Sequence, residues 1–126
     1  MGKTRQDQNH TVILMSEPLI MSSDTAFRQL RDKGEVTSVR KGEYDVKDVW
    51  IRRTRTGPKE FDAAIAVAGK YPWSQMDTLK KLLQIFVDKS GFDSVDDWIA
   101  EIREKHGEIP QPVTIIMVDR ESGNYA

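Results

Sequence analysis

Gly34-Glu35-Val36-Thr37-Ser38-Val39-Arg40-Lys41-Gly42, followed by Tyr44-Asp45-Val46-Lys47-Asp48-Val49-Trp50-Ile51, is the stretch on which the reading of this chain turns. A helix is expected to stop at Gly34, because glycine accepts the left-handed conformation that closes a helix. The β-branched run after it predicts a strand over 35–41. Strand alternation then sends Val36, Ser38 and Arg40 to one face and Thr37, Val39 and Lys41 to the other. A hydroxyl and a guanidinium two residues apart on a strand sit about 7 Å from each other, a spacing that suits one phosphate or another small polar ligand.

Working outward from this strand, a coarse architecture follows. Upstream, Thr11–Met15 reads as a first strand after a polar, flexible segment at 1–10. Ser22 or Ser23 can cap a helix that buries Ala26, Phe27 and Leu30. Downstream, Val49–Arg55 predicts a strand with Val49, Ile51, Arg53 and Arg55 on one face and Trp50, Arg52 and Thr54 on the other. Thr56-Gly57-Pro58-Lys59 supplies a hairpin turn, and Phe61, Ala63, Ile65 and Val67 alternate along the return strand.

The period then changes from two to about 3.6. Ser74 and Asp77 read as a capping box for a helix with Met76, Leu79, Leu83 and Phe86 on its apolar stripe, widened by Leu82 and Ile85 and ended by Gly91. A second helix, capped at Asp93 or Ser94, is expected to bury Val95, Trp98, Ile99 and Ile102 before Gly107 ends it. Val113–Val118 is apolar on both faces and predicts a central strand. The order is β-α-β-β-β-α-α-β, an α+β class, with one domain over residues 11–120 and a polar tail at 121–126.

Composition removes several functions. The 126 residues suit one domain, and the absence of cysteine excludes disulfides, thiolate metal sites and cysteine nucleophiles. No apolar run reaches the roughly 20 residues of a membrane span, and no signal-peptide pattern opens the chain, so a cytoplasmic location is expected. The two histidines, His10 and His106, stand in no metal-ligand spacing, so neither a metal nor a cofactor is expected. His106 reads as a helix C-terminal residue meeting the dipole. Asp96, Asp97, Glu101 and Glu104 read as a solvated helix face.

Charge is unevenly spread. Residues 31–59 hold nine Lys/Arg against five acids, whereas residues 60–126 hold seven against twelve. Folded into adjacent strands, the basic third would form a positive face able to orient a polyanion. A solvated strand-and-hairpin surface is the plain alternative. Trp73, next to Lys70, reads either as a staple for the following helix or as a platform for a base, and Trp50 either as packing or as a cleft wall.

In their order and spacing, the helix ending Lys33-Gly34, the strand Val36–Arg40, the turn Tyr44–Asp48 before Val49-Trp50-Ile51, and Ser90-Gly91-Phe92-Asp93-Ser94-Val95-Asp96-Asp97-Trp98 resemble an ASCH domain, of the PUA-like superfamily, over about residues 20–120. The resemblance implies a partly closed mixed β-barrel flanked by about three helices, with a cleft beside the Thr37–Arg40 strand. It also implies RNA as the partner. Some ASCH members are similar to ribonucleases, or to amidohydrolases that deacetylate a modified cytidine. In those amidohydrolases the strand reads Lys-Thr-x-Thr-x-Arg and a glutamate precedes the second helix. By position Ser38 replaces the nucleophilic threonine and Arg40 retains the arginine, while Glu35 and Ser90 stand where the activating lysine and the acid belong.

A hydroxyl nucleophile needs a base beside it. Glu35 at the mouth of a basic strand is a weak one, and Lys33 or Lys41 would have to substitute in space. The leading expectation is therefore a non-catalytic RNA-binding domain with Ser38, Arg40, Lys41, Arg52, Arg53, Arg55, Lys59, Lys70 and Trp73 as contacts. One alternative is a small hydrolase of RNA or a modified nucleoside, with Ser38 as nucleophile and Lys33, Glu35 or Lys41 as activator. Another is a small-ligand or protein-interaction module.

Overall fold

The computed structural model describes residues 16–120, so the expected strand at 11–15, the lead-in before it and the tail from 121 lie outside the described residues. The described part is α+β. Its elements are β1 (Glu17–Ile20), α1 (Asp24–Lys33), β2 (Glu35–Lys41), β3 (Lys47–Arg52), β4 (Phe61–Tyr71), α2 (Met76–Phe86), a 3₁₀ turn (Val87–Lys89), α3 (Val95–His106) and β5 (Val113–Arg120).

The five strands form one mixed sheet in the order β1-β3-β4-β5-β2, with β1 parallel to β3 and the other neighbours antiparallel. Twist curls the sheet toward a half-barrel, and its two edge strands approach one another. Arg40, on edge strand β2, donates from Nη1 to the carbonyl of Ile20, on edge strand β1, at 2.7 Å. That bond spans the open seam of the curl.

β5 explains why there are two cores. Its Ile116 and Val118 join α1 and the inward residues of β3 and β4 in one cluster, and its Val113 and Ile115 join α2 and α3 in a second. A strand buried on both faces loses the polar alternation of a surface strand, as the run 113–118 predicts. Extra residue Ala68 marks a bulge in β4: Val67 opposes Ile116, but Gly69 opposes Ile115. Ile65 therefore serves the first core, while Ala68 and Tyr71 pack against the second.

Local chemistry sets most boundaries. Ser23 Oγ accepts from the Ala26 N–H at the start of α1, and Gly34 closes it with φ of 85°. Ser94 Oγ accepts from Asp97 N–H at the start of α3, whose buried residues are Val95, Trp98, Ile99 and Ile102, as expected.

The first strand among the described residues is β1, four residues containing Pro18, at a sheet edge where the missing N–H of proline costs nothing. Expectations for β3 and α2 need correction. β3 ends at Arg52, so Arg53 and Arg55 do not extend its face. The proposed capping box is absent: the N-cap of α2 is Gln75, with no side-chain bond, and the helix ends at Phe86 in a 3₁₀ turn well before Gly91. Ile85 does not widen the stripe, because its side chain is 71% exposed. No helix among the described residues is long and apolar enough to cross a membrane.

Candidate functional site

A small cleft of about 80 Å³, partly open to solvent, lies where the seam between β1 and β2 meets the end of α3. Its first wall is the β1–α1 corner, with Ile20, Met21, Ser22 and Ser23. Ser38 and Arg40 of β2 form the second wall. The third comes from α3 and the turn before it: Phe92, Trp98, Glu101, Ile102, Lys105 and His106.

Arg40 is the centre of the arrangement. Its Nε donates to Ser38 Oγ at 3.0 Å and its Nη1 to Ile20 O at 2.7 Å. Among the described residues it forms no ion pair with a carboxylate. The guanidinium is therefore held by neutral partners, Ser38, Ile20 and the Tyr44 phenol, and its charge is not compensated by a carboxylate among the described residues. Burial pulls its pKa down from the ordinary arginine value, with the Tyr44 phenol opposing the shift.

The first wall is held by another arginine. Arg53 donates from Nε to Met21 O at 2.9 Å and from Nη2 to Ser22 O at 3.3 Å, pairs with Asp24, and lies 4.5 Å over the Phe27 ring. The expected phosphate contact is thus a clasp on the corner that carries Ser22. Because of this pairing the Asp24 carboxyl is held below the usual range.

At the third wall the surroundings of His106 are cationic. Burial first, then Lys41, Arg40 and Lys105, lower its pKa below the ordinary 6.5. Neutral imidazole results at neutral pH. His106 was expected only as a dipole partner and Glu101 only as a solvated acid; both line the cleft. A sequence signal existed for them. Trp98, Ile102 and His106 recur every four residues, so the buried stripe of α3 leads directly to His106, with Glu101 and Lys105 beside it.

The other expected contacts do not gather at the cleft. Lys59 pairs with Asp62 at 2.7 Å, and Lys70 pairs with Glu43. Arg52 stacks 5.1 Å from the Trp50 ring, and Arg55 sits in the hairpin turn. Trp73 is only 3% exposed; its Nε1 donates to Glu108 Oε1 at 3.2 Å and Arg103 covers its ring, so it is a core residue and no platform for a base. Lys41 ends β2 on the surface, close enough to act on His106.

Glu35, Lys33 and Ser90, considered for a base or acid beside Ser38, lie elsewhere. Glu35 accepts from Lys89 at 2.6 Å, and Lys33 is exposed in the last turn of α1. Ser90 is fully buried in its own turn, donating to Val87 O at 2.7 Å and accepting from Phe92 N–H at 3.0 Å. None of the three lines the cleft beside Ser38. No family model, no curated protein and no solved structure matches this chain.

Proposed function

We propose that this chain is an RNA-binding module of the ASCH, PUA-like type, which grips phosphate in the cleft between β1, β2 and α3 and performs no catalytic step. The observation that carries the reading is Arg40, held by Ser38 Oγ and Ile20 O with no carboxylate partner among the described residues. A half-buried cation fixed in this way costs desolvation free energy without the return of an ion pair, which is the expected signature of a group kept for an external anion. Lys105 and Lys41 add positive potential at the same rim.

The interface is narrower than the basic hairpin suggests. Lys59, Lys70 and Arg53 are paired with acids within the fold, and Arg52 and Arg55 do not line the cleft, so the phosphate contacts fall to Arg40, Lys41 and Lys105, with Ser38 as a hydroxyl partner. The curled sheet flanked by three helices agrees with the partly closed barrel of the PUA-like reading. A hydrolase centred on Ser38 gains no support from the positions of Glu35, Lys33 and Ser90.

The test is a titration with a short single-stranded RNA and its duplex at two salt concentrations. Two or three phosphate contacts predict a slope of roughly −1.4 to −2.1 in log affinity per log salt for the single strand. Arg40→Gln should remove about 0.7 of that slope. Absence of binding at low salt would overturn the reading.

A further inference from the structure

We propose that the cleft selects a terminal phosphomonoester, the phosphorylated end of an RNA strand or a free mononucleotide, over the internal phosphodiesters of a strand; this rests on the cleft being the phosphate site proposed above. Three observations carry it. The first is shape: the Arg40 side chain crosses from β2 to the Ile20 carbonyl of β1 and closes the seam at 2.7 Å. A continuous strand would have to break that bond to pass through, whereas a chain end can enter and stop.

The second is charge. Arg40 and Lys105 line the cleft with the carboxylate Glu101, Lys41 lies near its rim, and Asp24, which also acts on Lys105, is paired with Arg53, so the cleft and its rim carry an excess of positive charge. An internal diester carries one negative charge, while a terminal phosphate carries about −1.5 to −2 near neutral pH and offers three acceptor oxygens. Ser38 places a hydroxyl beside Arg40, and Ser22 and Ser23 line the same cleft, the Ser23 oxygen also capping α1. Third, one wall is apolar: half-buried Phe92 stacks on the core residue Trp98 with ring centroids 6.3 Å apart. The accessible part of Phe92 offers an apolar contact to the group attached to the phosphate.

The experiment uses the full chain and four probes: one RNA pentamer bearing a 5′-phosphate, a 3′-phosphate or hydroxyls at both ends, and the corresponding nucleoside monophosphate. One phosphorylated pentamer is expected to bind about tenfold or more tightly than the hydroxyl-ended one, with the monophosphate competing. Lys105→Gln, at an exposed position that spares the fold, should shrink that advantage to about threefold or less. Equal affinities of the three pentamers, lost together in Arg40→Gln, would overturn the terminal-phosphate proposal and leave RNA binding standing. Binding of the monophosphate with no pentamer bound would do the reverse. No binding of any probe would overturn both.

Discussion

Replacing Arg40 by methionine separates a guanidinium kept for a ligand from one kept for the fold. Methionine preserves much of the apolar stem and removes the charge and both donors. The variant loses the bonds to Ser38 Oγ and Ile20 O, each a hydrogen bond to a charged group worth about 1.5–3 kcal/mol, together with the contact to the Tyr44 phenol. Against this stands the release of a half-buried ion that has no carboxylate partner among the described residues, a penalty of several kcal/mol. The two terms are of similar size, so the net change in unfolding free energy should lie within about 1 kcal/mol of zero. Urea denaturation at pH 7 measures it, with an unchanged slope showing that both proteins unfold from comparable states. RNA binding should meanwhile fall steeply. A loss of more than about 3 kcal/mol, the range for breaking a buried pair, would refute the reasoning and make Arg40 a brace between the edge strands.

Other substitutions probe the frame around the cleft. Gly91→Ala puts a Cβ 2.9 Å from the Thr25 carbonyl on a backbone with φ of +90°, and should cost about 1–3 kcal/mol in a denaturant melt. Ser23→Ala should lower stability by about 1 kcal/mol through the lost cap of α1, whereas Ser74→Ala should be nearly neutral, within about 0.5 kcal/mol, because α2 has no side-chain cap there. For His106 the folded pKa lies below the unfolded one, so the unfolded chain binds more protons as pH falls through the ordinary 6.5. Stability should therefore decline from pH 7.5 toward the lower folded value, less so in His106→Gln, as thermal melts across that window would show. A bound phosphodiester of a hydroxyl-ended RNA, which does not itself titrate in this window, has the opposite effect on this group: it raises the His106 pKa, so binding should take up protons there, detectable as a buffer-dependent heat.

The strand at 35–41 and the helix at 95–106 were legible because local signals agreed: β-branched residues followed by Gly42, and a serine cap followed by a buried stripe at helical spacing. β1 was not, since four residues with a proline at a sheet edge carry neither alternation nor apolar run. Extending the period of β3 past Arg52 put Arg53 on a strand face, while the chain bends there and turns Arg53 onto Met21 and Ser22. Ser38 and Arg40 could be named from alternation alone. Their neighbours Lys105 and His106 lie more than sixty residues away and depend on where α3 crosses the sheet, a tertiary fact that spacing does not encode. Ion pairs of the hairpin are equally non-local: Lys70 meets Glu43 across 27 positions, which hides its neutralisation from any count of charge along the chain.

Backbone amide chemical-shift mapping of the isotope-labelled protein with a short single-stranded RNA tests the central claim most directly. Shifts are predicted to concentrate on Ser22, Ser23, Ser38, Arg40, Phe92 and His106, and to leave Arg55 and Lys59 of the hairpin turn unmoved. Shifts confined to the hairpin, with the cleft amides unchanged at saturation, would contradict it.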